Sequence, residues 1–188
     1  MTKLVVIDPG HGGSDPGATV NGLRECDVTL AIAKRIRSAL LRDFDVDVKL
    51  TRRDNSTVSL GARSKFANDR NAAYFVSVHI NAGGGNGYED YIHDNAGSRT
   101  ADWRNDVHGA IAPFLQQRGV TDRGKKRANF AVLRETRMPA ILTENLFIDT
   151  VSDANKLKDP SFLDGLAKAH ARGIAAALNL PRAAVPVS

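Results

Sequence analysis

The stretch Asp8-Pro9-Gly10-His11-Gly12-Gly13 follows an apolar run, residues 4–7, near the start of the 188-residue chain. We interpret this junction as a strand that stops abruptly at a histidine. Pro9 lacks the N–H that a strand ladder needs, and the glycines around His11 allow a tight turn. Since ligands bind at the carboxyl ends of the strands in α/β sheets, the sequence predicts that His11 lies at a binding edge.

Composition limits the classes of protein that the chain can belong to. With 42% hydrophobic residues, 188 residues suffice for one domain with a sizeable core and are too few for two ordinary domains. The net charge of +5 favours anionic partners, although the basic residues are scattered and only Lys125-Lys126-Arg127 forms a tight cluster; nucleic acid, an anionic cell-wall polymer and solubility alone each account for it. Cys26 is the only cysteine, which excludes an intrachain disulfide. No apolar run approaches the length of a membrane span.

Strand-like and helix-like segments alternate along the chain, which is typical of an α/β domain with a largely parallel sheet flanked by helices. Ser59 is a candidate N-cap for the second helix. We expect one domain over residues 1–180 and a linker-like tail over residues 181–188. The predicted strands are residues 4–8, 46–51, 74–78, 88–92 (an edge strand), 130–133 and 140–143, and the predicted helices are residues 25–41, 59–68, 99–117, 152–157 and 160–178.

Three groups suited to metal or proton chemistry follow predicted strands: His11, His79 and Glu144. Parallel strands bring such ends together at one edge, and Glu25, which begins the first long helix, adds a second carboxylate. Two imidazoles and one carboxylate form a three-ligand catalytic zinc site whose fourth position is open to water. The remaining carboxylate would then accept the proton of that water.

The same residues also have simpler, structural explanations. A single histidine at a strand end is more often a packing residue than a metal ligand, and Glu25 is also explained as a first-turn acid favoured by the helix dipole. Asp15 and Asp27 compete with Glu25 for the role of ligand. We interpret His93, His108 and His170 as solvated, and Cys26 as a small packing residue.

At these residues the chain resembles the zinc-dependent N-acetylmuramoyl-L-alanine amidases of bacterial cell-wall hydrolases and phage endolysins. The resemblance extends over nearly the whole chain because its motifs occur in order. They are Ile7-Asp-Pro-Gly-His-Gly-Gly13, Asp15-Pro-Gly17, Glu25, Leu50-Thr-Arg-Arg-Asp54, Val58-Ser-Leu60, Arg63, Ala67-Asn68, Ser77-Val-His-Ile-Asn-Ala82, residues 124–129, Val132-Leu-Arg134, Met138-Pro-Ala-Ile-Leu-Thr-Glu144 and Phe147-Ile148.

The resemblance implies a fold, a metal site and a reaction. The fold is a mixed, mainly parallel sheet of about six strands flanked by helices. His11, Glu25 and His79 match the family's ligands for one Zn²⁺, and Glu144 matches its catalytic glutamate. The reaction is hydrolysis of the amide between N-acetylmuramic acid and the L-alanine of the peptidoglycan stem peptide. Asn145-Leu146 departs from the family, which more often has a small residue and glycine there.

Two further predictions concern the oxyanion and the orientation of a ligand. We expect the tetrahedral oxyanion to be stabilised by Asn81 or by a backbone N–H. Asp8 is a candidate acceptor that would orient a zinc-binding imidazole. Alternative functions on the same scaffold are a zinc peptidase that cuts within the stem peptide and a non-catalytic wall-binding module.

The expected partners are bacterial peptidoglycan and anionic wall polymers, with no nucleic acid and no membrane insertion. We expect a monomer. No signal peptide is visible after Met1. The expected place of action is therefore the cell wall, reached either by release of a phage endolysin made in the cytoplasm or as a domain of an exported enzyme whose wall-binding domain lies beyond the tail.

Overall fold

The computed structural model describes residues 2–184. In chain order the elements are β1 (Leu4–Pro9), β2 (Thr19–Val20), β3 (Leu23–Arg24), α1 (Glu25–Asp43), β4 (Asp47–Leu50), α2 (Leu60–Asp69), β5 (Tyr74–Asn81), β6 (Tyr88–Ile92), α3 (Ser98–Gln116), β7 (Asp122–Arg127), α4 (Ala131–Arg134), β8 (Ala140–Phe147), α5 (Val151–Leu157) and α6 (Pro160–Leu178).

One sheet of six strands organises the described residues, in the order β4-β1-β5-β8-β6-β7. Neighbouring strands are parallel except for the antiparallel pair β6 and β8. The two short strands β2 and β3 pair with each other in the loop that precedes α1. The predicted fold class, an α/β domain with a mixed and mainly parallel six-stranded sheet, is confirmed.

The two faces of the sheet are covered differently. The larger apolar cluster includes residues of α1, α3 and α6, whose apolar sides share one face with Ile7, Val76 and Ile141. The smaller cluster joins α2 and α4 to the opposite face through residues such as Phe75 and Leu142. Strands covered on both faces are apolar at most positions, which is why β1 begins with the continuous apolar run of residues 4–7 and β5 is apolar at residues 74–76 and 78.

Most predicted elements are confirmed within one or two residues, including the cap of α2, where the Ser59 hydroxyl accepts from the Ala62 N–H. The strand predicted at residues 130–133 is wrong, because residues 131–134 form the short helix α4. The edge position predicted for residues 88–92 is also wrong, since β7 pairs with the outer side of β6. Strands β5 and β8 run on through His79 and Glu144 instead of ending before them.

Two of the three histidines predicted to be solvated are buried, so that interpretation is wrong for them. His108 lies between two carboxylates, with Nδ1 at 2.7 Å from Asp90 and Nε2 at 3.2 Å from Asp122. His170 is fully buried in α6. His93 is partly exposed. Hydrogen-bond partners make both burials acceptable: the two aspartates for His108, and the Leu166 carbonyl and the Thr143 hydroxyl for His170.

The beginning of the tail is paired with the domain. The Asp45 N–H donates to the Pro181 carbonyl, and the Ala183 N–H donates to the Asp43 carbonyl. The remainder of the predicted linker, residues 185–188, lies outside the described residues, and the linker stays a prediction. Among residues 2–184, none of the helices combines the length and the apolar character needed to span a bilayer.

Candidate metal and proton-transfer site

His11, Glu25 and His79 meet at one edge of the sheet. His11 follows β1, Glu25 begins α1 and His79 lies near the end of β5. Oε1 of Glu25 is 3.2 Å from Nε2 of His11 and 3.2 Å from Nδ1 of His79. One ligand atom from each residue lies within 4.8 Å of the other two, so this group could hold a metal ion. The sequence-predicted trio is therefore brought together.

Two buried arginines fix the loop that carries His11. Arg52 donates through Nε to the Pro9 carbonyl and through Nη2 to the Gly10 carbonyl. Arg63 donates to the Pro9 carbonyl from Nη1 and to the His11 carbonyl from Nη2. His11 itself has a φ of 59°, in the left-handed region that non-glycine residues rarely adopt. The guanidinium contacts compensate this strained backbone, which points the imidazole toward Glu25.

Gly10 and Gly17 leave the space that the metal-site side chains occupy. A Cβ added to Gly10 would come 2.4–2.7 Å from the ring atoms of His79. A Cβ added to Gly17 would come 2.6 Å from Oε2 of Glu25 and 2.9 Å from Cδ2 of His11. The glycines of these motifs therefore serve close packing of the backbone against the three candidate ligands.

Asp15, and not Asp8, orients a candidate ligand. Oδ2 of Asp15 lies 2.8 Å from Nδ1 of His11, so the second nitrogen, Nε2, faces Glu25. The prediction for Asp8 is wrong because its carboxylate accepts hydrogen bonds from Thr51, Arg63 and Ser77. The buried ion pair between Asp8 and Arg63 stabilises the loop that carries His11.

The other competitor for the role of Glu25 is engaged elsewhere. Asp27 forms an ion pair with Arg24 at 2.7 Å, on the exposed side of α1. Glu25 by contrast is buried, and its Oε2 accepts from the Ala18 N–H while its Oε1 also accepts from the Ile80 N–H. These hydrogen bonds hold its carboxylate in the position between the two imidazoles.

The site concentrates negative charge beside the histidines. Burial tends to raise the pKa of Glu25, but the hydrogen bonds from His11 and His79 outweigh burial and bring that pKa below its usual value. The hydrogen bond to Glu25 raises the pKa of His11 to about 9, with burial opposing and Asp15 reinforcing the shift. An ionised carboxylate between two imidazoles is a favourable place for a cation.

Glu144 faces the candidate ligands from the neighbouring strand. It is in register with His79 across the parallel pair β5 and β8. Its Oε2 is buried and has no hydrogen-bond partner among the described residues. Burial raises the pKa of Glu144 to about 7; His79 opposes this shift, and Glu25 and Glu89 add to it. A carboxylate that gains and loses a proton near neutral pH is suited to general acid–base chemistry.

The sequence departure at Asn145-Leu146 coincides with a bulge directly after Glu144. His79 pairs with Glu144, but Asn81 pairs with Phe147, so β8 contains an extra residue at this point. Leu146 has a φ of 72° and is fully buried. A glycine would adopt this φ without strain, and the leucine contributes apolar burial instead. Asn145 bridges the two strands by donating to the His79 carbonyl.

Asn81, a predicted oxyanion donor, is already engaged. Its Nδ2 donates to Oε1 of Glu89 at 3.0 Å. A backbone N–H remains the other predicted source of oxyanion stabilisation, and it stays a prediction.

A cavity of about 240 Å³ opens beside His11 and His79, on the side of α2 and α4. Thr57, Leu60 and Val132 are among its lining residues. A larger cavity of about 410 Å³ lies between α1 and α6, remote from the candidate ligands, and is lined mainly by basic and polar side chains. Only the first adjoins groups with the chemistry of a catalytic site.

Sequence reasoning considered Asp15 only as an alternative ligand and missed its contact with His11, and it assigned no role in this site to Arg52 or Arg63. All three stand in the motifs that carried the family resemblance, which was the signal available in the sequence. Their roles depend on contacts across 40 to 55 positions for the arginines, and these contacts follow only from the fold.

Comparisons with known proteins agree with this geometry. The family profile described as N-acetylmuramoyl-L-alanine amidase matches residues 5–176. A sporulation-specific N-acetylmuramoyl-L-alanine amidase of Bacillus subtilis is 50% identical over 183 residues, which cover 97% of this chain and 70% of that protein. The endolysin of Bacillus phage SPP1 is 47% identical over 185 residues, covering 97% of this chain and 68% of the endolysin.

Solved structures show the same fold. The catalytic domain of CwlV, an N-acetylmuramoyl-L-alanine amidase from Bacillus (Paenibacillus) polymyxa var. colistinus, superposes with a TM-score of 0.89 at 36% identity, covering 96% of this chain and all of that chain. An N-acetylmuramoyl-L-alanine amidase from Clostridium difficile 630 has a TM-score of 0.90 at 34% identity, covering 95% of this chain and 97% of that one.

Proposed function

The chain belongs to the N-acetylmuramoyl-L-alanine amidase family, and from that premise we propose that it hydrolyses the amide between N-acetylmuramic acid and the L-alanine of the peptidoglycan stem peptide, with one zinc ion held by His11, Glu25 and His79. The observation that carries the proposal is the convergence of these three residues, one of which, His79, is in register with Glu144, whose Oε2 has no hydrogen-bond partner among residues 2–184.

Zinc fits this donor set. Two imidazole nitrogens and one carboxylate oxygen are the ligands of a common catalytic zinc site. One ligand atom from each of the three residues lies within 4.8 Å of the other two, which is close enough for a single ion to contact all three. Oε1 of Glu25 lies 3.2 Å from each of the two facing histidine nitrogens. Three protein ligands leave a fourth position for water or substrate.

The protein residues supply positioning and proton transfer. When bound, zinc supplies a Lewis acid for the scissile carbonyl and lowers the pKa of a water molecule. Glu144 accepts a proton from the attacking water while the oxygen bonds to the carbonyl carbon. It then gives that proton to the alanine nitrogen as the carbon–nitrogen bond breaks, because an amide nitrogen leaves poorly unless it is protonated. The products are a lactyl carboxylate and a peptide with a free amino terminus.

Asp15, Arg52 and Arg63 maintain this geometry in the proposed mechanism. The hydrogen bond from Nδ1 of His11 to Asp15 fixes the ring so that Nε2 is available as a ligand. The two arginines hold the strained loop carbonyls and so fix where His11 lies relative to β5. We further propose that the chain acts at the bacterial cell wall, where its substrate is found.

Product analysis tests the reaction. Purified peptidoglycan is incubated with the protein, and the soluble fragments are identified by mass spectrometry. The proposal predicts free stem peptides that begin with L-alanine. Cuts within the stem would instead identify a peptidase, and binding to the wall without any product would identify a non-catalytic module.

A further inference from the structure

A buried carboxylate with two cations extends the candidate site across the sheet. Glu89 of β6 is in register with Glu144 of β8, and only 2% of its surface is exposed. Oε2 of Glu89 accepts from Nε of Arg123 at 2.7 Å and from Nζ of Lys126 at 2.5 Å. Both cations belong to β7, the strand that the sequence pattern did not predict.

Arg123 and Lys126 together carry more positive charge than is required to neutralise Glu89. Oε1 of Glu89 is already satisfied by Asn81 and by the Tyr91 hydroxyl. The hydrogen bonds from Lys126, Tyr91 and Arg123 outweigh burial and lower the pKa of Glu89 to about 2, so the residue is ionised at neutral pH. One negative charge thus faces two positive charges, and the cluster retains a net charge of about +1.

The two cations are still available to a ligand. Their side chains are 34% and 37% exposed, whereas the side chain of Glu89 is 3% exposed. Within residues 2–184, the hydrogen bonds of Arg123 use Nε and Nη1 and leave Nη2 without a protein acceptor. Arg123 also lies over the ring of Phe147, which limits its movement. The buried glutamate therefore fixes the cations in place while leaving donors toward solvent.

Strand order sets the direction in which substrate would extend. The succession from the metal ligands is His79 on β5, Glu144 on β8, Glu89 on β6 and the two cations on β7. In the proposed reaction the carbonyl lies at His79 and the departing nitrogen lies at Glu144. The peptide attached to that nitrogen thus continues toward β6 and β7.

We infer that Arg123 and Lys126, positioned by Glu89, bind a carboxylate on the second or third residue of the peptide that is released; this rests on the proposed function. Two strand spacings of about 4.8 Å separate β8 from β7, a span of about 10 Å. An extended peptide covers about 3.3–3.6 Å per residue, so two to three residues reach the cations. A carboxylate is the peptide group that a fixed guanidinium and ammonium pair recognises.

The test compares two substrates that differ only in the carboxylate charges of the second and third residues. The substrates are muramoyl tripeptides that carry either free carboxylates or carboxamides at the second and third residues. For the unmodified protein, we expect loss of the recognised carboxylate to raise KM about tenfold, the size expected for one charge-assisted hydrogen bond, with little change in kcat. Lys126→Gln should raise KM for the carboxylate substrate alone, and Lys126→Arg should restore it.

Matched controls separate recognition from folding. Lys125 carries the same charge on the same strand but contacts Asn105, so Lys125→Gln should leave both KM values unchanged. Thermal unfolding is measured for each variant, and Arg123→Gln is the second probe if Lys126→Gln unfolds. Equal KM values for the two substrates in the unmodified protein would overturn this inference alone. No release of alanine-terminated peptide from either substrate would overturn the proposed function and the inference with it.

Discussion

His79 and Glu144 lie directly opposite each other on the adjacent parallel strands β5 and β8. One is a candidate metal ligand, and the other presents a buried carboxylate oxygen that has no hydrogen-bond partner among the described residues. Because both are placed by the centre of a single sheet, their separation is fixed by the strand ladder and not by mobile loops. The arrangement separates metal binding from proton transfer, and the two roles are testable one at a time.

Replacing the carboxylate of Glu144 should abolish turnover without loss of metal. Glu144→Gln keeps the size of the side chain but removes its ability to accept a proton, so kcat should fall about 10³-fold. Activity is followed by release of soluble fragments from peptidoglycan, and metal content by elemental analysis. Glu135→Gln, on an exposed glutamate, is the matched control and should retain full activity. Near-normal hydrolysis by folded, metal-loaded Glu144→Gln would remove Glu144 from the mechanism.

Replacing His79 should remove the metal ion as well as the activity. His79→Ala deletes one of three ligands, and the metal content of the purified protein should fall well below one ion per chain together with activity. Thermal unfolding of the metal-free forms checks that the variant is folded. Retention of one tightly bound ion per chain would contradict the assignment of His79.

Gly10→Ala tests the packing of the loop against the metal site. The new Cβ would overlap the ring of His79, so the loop or the ring must move and metal affinity should fall at least tenfold. Gly109→Ala is the control, because its Cβ would meet no atom within 4 Å on an exposed turn of α3. That variant should keep metal affinity and gain about 0.5–1 kcal/mol of unfolding free energy. Equal metal affinity in the two variants would count against the packing argument.

His170 should make the fold sensitive to mild acid. Burial lowers its pKa in the folded protein to about 4, against 6.5 as the ordinary value. Between these pH values the unfolded chain binds a proton that the folded chain does not, so the free energy of unfolding decreases as pH falls. From pH 7 to pH 5 the loss from this residue should be about 2 kcal/mol. Urea unfolding at several pH values measures it.

The control for that prediction is the variant His170→Gln, which lacks the titrating group. Its free energy of unfolding is expected to fall by about 2 kcal/mol less over the same pH range. An unchanged pH dependence in the variant would show that other groups account for the effect.

The sequence was most informative where a buried strand leads to a polar residue. His11, His79 and Glu144 each follow such a run, and parallel strand order brings them to one edge. The choice of Glu25 over Asp15 and Asp27 came from the resemblance and not from spacing. The hydrogen bonds of Glu25 now give that choice a geometric basis.

Other parts of the fold could not be predicted from the sequence, and the reasons are physical. Strand β7 has the sequence Asp122-Arg-Gly-Lys-Lys-Arg127, whose lack of apolar residues suits an exposed edge and gives no alternation to detect. Omitting it also made β6 look like the edge. The four apolar residues at 130–133 fit either a strand or a helix, because so short a run has no period of its own. The burial of His108 and His170 depends on partners that sequence spacing does not reveal.

Metal-dependent release of alanine-terminated peptides tests the central claim most directly. The protein is stripped with a chelator, zinc is added back in steps, and free L-alanine amino termini are counted after digestion of purified peptidoglycan. We expect no release from the stripped protein and a rise in activity that saturates at one zinc per chain. Full activity in the metal-free protein, or stoichiometric zinc binding without any release of L-alanine amino termini, would contradict the account.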